Sequence, residues 1–200
     1  MTASHEEPIL LRHHFRSHPH IAEFASITFY SGALIVDTPL DRLLPGPAVH
    51  WENIQGSART GPSGRSVVNE PEARRTLEVL VEHLEEIRGA RPTIGIVSPF
   101  RAQVDCLVNM LAREMPHLAG SVTIDTAHGF QGDERDIMIF SPVVASGFPS
   151  KLLSFAGNRN LVNVSLTRAR SRLVVVGDRE ACMASGTVLA DLAHYIAALG

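Results

Sequence analysis

The chain has 200 residues, of which 44% are hydrophobic and 20% are charged, a composition that fits one globular domain and argues against a disordered chain. Its formal net charge of −3 excludes a protein that binds nucleic acid through overall charge, so any such contact has to be local. No apolar run reaches the roughly 18 to 20 residues of a membrane-spanning helix, and the N-terminal residues lack a secretory signal pattern. We therefore expect a cytoplasmic protein.

Short apolar segments alternate along the chain with longer amphipathic segments. The predicted strands, in chain order, are Ile9 to Arg12, Val49 to Asn53, Thr93 to Ser98, Val122 to Thr126, Ile137 to Ser141 and Arg172 to Gly177. The predicted helices are His20 to Tyr30, Glu70 to Arg88, Arg101 to Glu114, Arg159 to Arg168 and Val188 to Ala198. This alternation predicts an α/β fold with a mainly parallel sheet between helices, and runs such as IGIV and LVVV predict strands buried on both faces.

The pattern predicts one domain over residues 1–200. We expect residues 1–8 to be disordered or foreign to the domain, and the Gly-, Ser- and Pro-rich stretch 55–66 to be an exposed loop. The clearest helix start follows this loop, because Asn69 can cap a helix that has Pro71 in its first turn and Glu72 three residues after the cap.

The segment VTIDTAHGFQGDERDIMIFS, residues 122–141, joins two predicted strands through a polar loop. Gly129 and Gly132 allow the backbone to approach a ligand, Gln131 offers a donor and an acceptor, and Glu134 offers a carboxylate. We expect this loop at the carboxyl edge of the sheet, where ligands bind in such folds. A polar turn without a ligand explains the composition equally well.

Three further segments carry polar groups in unusual density. In NRNLVNVSLTRARSRLVVVGD, residues 158–178, Arg168 ends a helix and either contacts a phosphate or complements the helix dipole. In IGIVSPFRAQ, residues 94–103, the helix start either binds a nucleic-acid phosphate or is capped by Ser98. LRHHFRSHP, residues 11–19, groups histidines without a carboxylate or cysteine at metal-ligand spacing, so we predict no metal site there.

These four segments, in this order, resemble the motifs of superfamily 1 helicases of the 5′-to-3′ branch, typified by the nonsense-mediated-decay RNA helicases and the Okazaki-fragment nuclease-helicases. LRHHFRSHPHIAEFASITFYSGAL resembles LxxQYRMHPxIxxFxSxxFYxGxL, and IGIVSPFRAQ resembles IGIITPYxxQ. FQGDERDIMIFS is similar to FQGxExDxIIxS, and LVNVSLTRARSRLVVVGD to LNVALTRARxxLxIVGD. The resemblance, which spans roughly Leu10 to Asp178, implies a RecA-like three-layer fold, the C-terminal half of such a motor (AAA_12 type).

The resemblance implies roles for individual residues. Arg168 corresponds to the arginine finger and Arg16 to a second catalytic, phosphate-contacting arginine, while Gln131, Gly132 and Glu134 belong to the nucleotide-binding set. The positions that imply contact with single-stranded DNA or RNA are Pro99, Phe100, Gln103, Thr126 and His128. Such contacts, largely to the sugar-phosphate backbone and by stacking, imply tracking without base specificity.

The chain also departs from the family pattern. His14, Ser17 and Phe100 stand where the family has glutamine, methionine and tyrosine. No GxxxxGK[ST] phosphate loop occurs, so ATP with Mg²⁺ is expected to be held mainly by an N-terminal RecA-like domain of the same protein, outside these 200 residues.

The expected function is therefore that of the C-terminal motor domain of an ATP-dependent helicase, inactive as an isolated chain. Two other interpretations stay open at this point. One is a helicase-derived module that binds nucleic acid or a protein without hydrolysis, and the other is a complete nucleotide-binding fold with an unrecognised phosphate loop.

Overall fold

The computed structural model describes residues 13–61, 66–87, 89, 91–130 and 132–200. The predicted strand Ile9 to Arg12, the start at residues 1–8, and Gln131 lie outside these ranges. The strands are β1 (His13–His14), β2 (Ile35–Val36), β3 (Val49–Asn53), β4 (Arg59–Thr60), β5 (Val67–Val68), β6 (Ile94–Val97), β7 (Val122–Asp125), β8 (Arg135–Phe140) and β9 (Ala169–Gly177). The helices are α1 (Pro19–Phe29), α2 (Glu70–Glu86), α3 (Arg101–Glu114), α4 (Ser150–Ala156), α5 (Arg159–Thr167), α6 (Arg179–Met183) and α7 (Val188–Ala198), with 3-10 turns at Leu40–Arg42 and Pro116–Leu118.

Five of these strands form one parallel sheet in the order β3-β9-β8-β6-β7. All four residues of β6 are buried, as the continuous apolar run predicts for a strand covered on both faces. Apolar residues of α2 and α3 pack on one face of the sheet, and those of α1, α5 and α7 pack on the other. The predicted α/β fold with a central parallel sheet between two helical layers is confirmed.

The predicted exposed loop over residues 55–66 needs a correction. β4 lies within it and pairs antiparallel with β5, so part of the loop is the first strand of a small hairpin. Gly61, at the end of the described part, is buried and donates its N–H to the Ser66 carbonyl at 2.7 Å. Residues 62–65 lie outside the described ranges.

At the start of α2, the predicted cap by Asn69 forms, but Glu72 has a different partner. The Asn69 side chain accepts from the backbone N–H of Glu72 at 3.4 Å, as an N-cap does. The Glu72 carboxylate does not return to the Asn69 N–H; it accepts from Ser141 Oγ at 2.5 Å and from the Val143 N–H at 2.8 Å. A fully buried carboxyl group therefore ties α2 to the chain that leaves β8.

α3 begins later than the Ser98-Pro99 pattern suggests. Its N-cap is Phe100, which makes no side-chain cap bond, and Ser98 Oγ accepts from the Phe100 N–H at 3.4 Å. Ser98 therefore supports the turn before the helix and is not the N-cap.

Candidate functional site

The polar segment 126–134 crosses the sheet from one edge to the other. It leaves the carboxyl end of β7 and enters the amino end of β8, and no helix lies in its described part. Phe130, within it, is fully buried and packs against β6 at Gly95, where an added Cβ would lie 2.8 Å from the Phe130 ring. The expectation that this whole loop lies at the carboxyl edge is thus wrong, because the residues that precede β8 lie at the amino edge.

At the amino edge, the Glu134 carboxylate bridges two arginines. It forms an ion pair with Nε of Arg16 through one oxygen and accepts from Nε of Arg170 at 3.0 Å through the other. The His18 N–H donates to the Arg170 carbonyl at 2.7 Å, which fixes the segment before α1 against the start of β9. The structure thus brings together Arg16 and Glu134, which are far apart in the sequence.

These groups line a cavity of about 490 Å³. Besides Arg16, Glu134 and Arg170, its wall includes Arg42 and the ring of Phe15, which is 63% exposed. Phe15 and Arg42 were not singled out from the sequence, and Arg170 belongs to the polar segment 158–178 without having been singled out there. An exposed ring beside guanidinium groups suits a ligand that has both a flat heterocycle and phosphates.

Arg168 lies beside this group at the C-cap of α5, where its carbonyl accepts from the Arg135 N–H at 3.0 Å. Within the described ranges its Nε is buried without a hydrogen-bond partner, and its guanidinium forms no ion pair with a carboxylate. The Arg135 hydrogen bond mainly, and the Arg168 charge in addition, hold the pKa of Asp133 below its ordinary value. The cap position suits the helix dipole, and the half-exposed guanidinium, with no carboxylate partner, is also compatible with contact to an anion.

Two positions in the crossing segment require glycine for different structural reasons. Gly132 has φ +86, in the left-handed region that favours glycine. A Cβ on Gly129 would lie 2.1 Å from Oδ2 of Asp125, so this glycine is required by a contact within the protein.

His14 contributes an acceptor to the amino-edge group. Its Nε2 accepts from the Ser17 N–H at 3.0 Å, in the turn that carries Arg16. Burial mainly, and the Arg16 charge in addition, lower the pKa of His14, while Glu134 opposes them. The neutral imidazole therefore supports the turn that positions Arg16. Within the described ranges, no group of three or more His, Cys, Asp or Glu is placed to hold a metal ion.

At the carboxyl edge lies a larger cavity of about 1240 Å³. Its wall includes four of the residues predicted to contact nucleic acid: Pro99, Phe100, Thr126 and His128. The wall also carries five cations, Arg59, Arg74, Arg101, Arg113 and Lys151, against two carboxylates, Glu70 and Asp105. Cations therefore outnumber carboxylates on this wall although the whole chain has a net charge of −3.

Gln103, the fifth predicted nucleic-acid contact, is not at the surface. Its side chain is fully buried; its Oε1 accepts from the Asn69 N–H at 2.9 Å, and its Nε2 donates to the Asn69 carbonyl at 3.2 Å and to Ser141 Oγ at 3.0 Å. Both amide donors are thus used within the protein. Gln103 joins α3 to α2 and to the end of β8, and the structure gives it a packing role.

Phe100 lines the cavity but is only 4% exposed. Its ring packs against Phe155 of α4 at a centroid distance of 5.4 Å and against Phe148 at 6.0 Å. The aromatic surface of this cavity therefore includes α4, which the sequence analysis did not predict.

Comparisons with known proteins agree with this architecture. A family model described as an AAA domain, AAA_12, matches residues 1–180. A Dictyostelium discoideum protein described as a probable helicase is 33% identical over 187 residues, covering 87% of this chain and 18% of that protein. Regulator of nonsense transcripts 1 of Caenorhabditis elegans is 31% identical over 185 residues, covering 86% of this chain and 17% of that protein.

A solved structure supports the fold. The C-terminal domain of a possible DNA helicase from Lactobacillus plantarum is similar with a TM-score of 0.51 and 18% identity, over 82% of this chain and 87% of that one. The chain spans under a fifth of the length of the two curated relatives. Of the helices in the described ranges, none has the length and apolar character needed to cross a membrane.

Proposed function

The chain belongs to the AAA_12 family of AAA domains, the C-terminal RecA-like domain of superfamily 1 helicases, and from this we propose that it is the second half of an ATP-driven motor that moves on single-stranded DNA or RNA. The observation that carries the proposal is the position of the candidate residues. One group lies at the amino edge of the sheet, the other at the carboxyl edge, and the segment 126–134 joins them.

The amino-edge group supplies positive charge to the nucleotide. We assign Arg168 as the arginine finger for the γ-phosphate of ATP held on a partner domain, because within the described ranges its half-exposed guanidinium has no carboxylate partner. Arg16 contacts the same triphosphate from the neighbouring cavity, where Glu134 approaches the ribose side and Phe15 offers a flat ring to the base. Gly132, which we also assign to the nucleotide, precedes Glu134 in the same segment. Gln131, which we also assign to this set, lies outside the described residues.

Hydrolysis also needs a phosphate cradle, a magnesium carboxylate and a positioned water. In this proposal an N-terminal RecA-like domain of the same protein holds ATP and Mg²⁺ mainly by itself, and the present chain adds the charge that stabilises the transition state. ATP then closes the cleft between two domains, and hydrolysis opens it, which is a two-state domain motion driven by contact with the γ-phosphate.

The carboxyl-edge cavity binds the single strand. Its excess of cations suits the phosphate backbone, and Pro99, Thr126 and His128 line the same wall. Because Gln103 is engaged inside the protein, we leave it out of the contact set, and Phe100 contributes through the rings packed on it.

The test is a titration of the 200-residue chain with a fluorescent single-stranded oligonucleotide and with an ATP analogue, followed by an ATPase assay with and without an ATPase half joined to it. We expect weak binding of both ligands, no hydrolysis by the chain alone, and hydrolysis by the joined protein that depends on Arg168. Equal ATPase rates in the joined protein with and without the Arg168 side chain would refute the role of the chain in catalysis.

One observation favours the second candidate, a binding module that no longer supports hydrolysis. Arg16 and Arg170 are both ion-paired with Glu134, so a triphosphate has to compete with an internal carboxylate for them. In that case the joined protein would bind the oligonucleotide but show no nucleic-acid-stimulated ATPase activity.

A further inference from the structure

α4 places a half-exposed aromatic ring in the carboxyl-edge cavity. Phe155 is 48% exposed and lines this cavity beside Phe100, whose own exposure is 4%. The ring centroids of the two residues are 5.4 Å apart with the planes tilted at 50°, so Phe100 supports Phe155 from below. Of these two rings, it is Phe155 that leaves a face available to a ligand.

The same helix carries an unpaired cation. Lys151 is exposed, lines the cavity and lies four residues before Phe155, which puts the two side chains on one face of α4. The four arginines of the cavity wall are all ion-paired. Arg59 pairs with Glu70 and Arg101 pairs with Asp125, while Arg74 and Arg113 both pair with Glu114. Within the described ranges Lys151 has no such partner, so a phosphate would meet no competing carboxylate there.

We propose that α4 forms a subsite for the single strand. In this subsite one base stacks on Phe155 while Lys151 contacts an adjoining phosphate. This inference rests on the proposed function and adds a subsite to it. A base of any type stacks on an aromatic face, so the subsite fits a motor that has to pass every sequence. We assign single-stranded nucleic acid as the occupant because an aromatic face and an unpaired cation lie together on a wall that carries five cations and two carboxylates.

Fluorescence anisotropy at low salt tests the stacking contact in the 200-residue chain. Two fluorescent strands of equal length are compared, an oligothymidylate and its abasic counterpart. We expect Phe155→Ala to weaken binding of the oligothymidylate by about tenfold and to leave binding of the abasic strand nearly unchanged. Phe155→Trp should retain the affinity. Phe155→Leu keeps an apolar side chain packed on Phe100 but has no flat ring, so it should bind the two strands as Phe155→Ala does. It keeps the test valid if the smaller alanine side chain affects folding.

The control is Ile27→Ala, which removes another apolar side chain, 62% exposed, that does not line the cavity. It should bind both strands as the unsubstituted chain does. For the charge, Lys151→Gln should reduce the slope of log affinity against log salt by about 0.7, the contribution of one phosphate contact on a single strand. Arg91→Gln, at an exposed cation off the cavity wall, should leave the slope unchanged.

The outcomes separate the two proposals. If the chain binds the oligothymidylate and neither Phe155→Ala nor Phe155→Leu weakens it selectively, the α4 subsite is wrong while strand binding in the cavity stands. If the unsubstituted chain binds neither strand at any salt concentration, strand binding by this domain is wrong and the subsite with it.

Discussion

Oε2 of Glu134 lies 3.0 Å from Nε of Arg170, at the amino ends of β8 and β9. The other oxygen of this carboxylate is ion-paired with Arg16, so one side chain holds two guanidinium groups in the wall of the smaller cavity. Without a ligand, this carboxylate offsets the repulsion between the two arginines. With a triphosphate bound, the phosphate oxygens can take over the same task.

Replacing Glu134 should therefore have opposite effects on the anion affinity of the cavity and on turnover, which needs Arg16 in position. In Glu134→Gln the cavity gains one unit of positive charge, and we expect the isolated chain to bind tripolyphosphate several-fold more tightly at low salt. In a protein joined to an ATPase half, turnover should nevertheless fall by about tenfold, because Arg16 is no longer oriented. Calorimetry and steady-state kinetics measure the two effects, and a parallel rise of both would contradict the positioning role.

Arg168→Ala should act on turnover rather than on ATP binding. Because the finger stabilises charge in the transition state, we expect the joined protein to lose about a hundredfold or more in ATPase rate while the dissociation constant for ATP changes little. Steady-state kinetics together with nucleotide titration check this result. Arg179→Ala, in α6 and away from both cavities, is the matched control and should keep full turnover.

Gln103→Ala should reduce stability rather than strand binding. The substitution leaves the Asn69 N–H without its acceptor and removes one of two donors to the Asn69 carbonyl, which keeps the Ala73 N–H. It also opens a void between α2 and α3. We expect the free energy of unfolding to fall by about 2 to 4 kcal/mol, as measured by denaturant titration. Asn109→Ala removes an exposed amide from the same helix and should change stability by less than about 0.5 kcal/mol. A loss of strand affinity in the folded Gln103→Ala protein would contradict a role for Gln103 in packing alone.

Glu72 should make stability depend on pH. Burial mainly, and the charge of Asp178 in addition, raise the pKa of Glu72 from 4.5 to about 8, although hydrogen bonds from Ser141, Val143 and Asn69 oppose this. The folded chain then keeps a proton that the unfolded chain loses above pH 4.5, so the free energy of unfolding falls as pH rises toward about 8. Against Glu72→Gln as the reference, the slope should approach about 1.4 kcal/mol per pH unit. Equal slopes in denaturant titrations of the two proteins would show that Glu72 ionises as it does in the unfolded chain.

His14 should have the opposite pH dependence. Its pKa lies below the ordinary value of 6.5, so the folded chain favours the neutral ring. Its contribution to stability is present above pH 6.5 and is lost as pH falls below that value, because protonation removes the acceptor for the Ser17 N–H. We expect His14→Gln, which restores the family's residue, to lose less stability than the unsubstituted chain between pH 7.5 and about 5. Thermal melts at both pH values give the comparison, and identical losses would refute it.

Three elements could be predicted from the sequence to the residue, whereas β9 begins three residues before its predicted start. β3, α3 and α7 have the predicted bounds, because their apolar positions repeat with a clear period of two or 3.6. α4 was missed because seven residues between Pro149 and Gly157 are too short for such a period to show. Its packing on Phe100 from a distant part of the chain decides its position.

Two features of the candidate site had a signal in the sequence. Gln103 lies four residues before Leu107, on the apolar face of α3, so its burial followed from helical spacing. In the same way, residues directly before β8 belong at the amino edge of any parallel sheet, which places Glu134 away from Thr126. The partners of Glu72 and the gathering of Arg16, Glu134 and Arg170 depend on tertiary contacts that no local pattern contains.

The crossing segment 126–134 connects the two edges of the sheet. Its middle is anchored by a buried ring, and its ends enter the walls of two different cavities. Were a ligand at one edge to shift this segment and change the affinity for a ligand at the other edge, the second ligand would have to change the affinity for the first by the same factor. Such a coupling would therefore have the same magnitude whichever of the two ligands binds first.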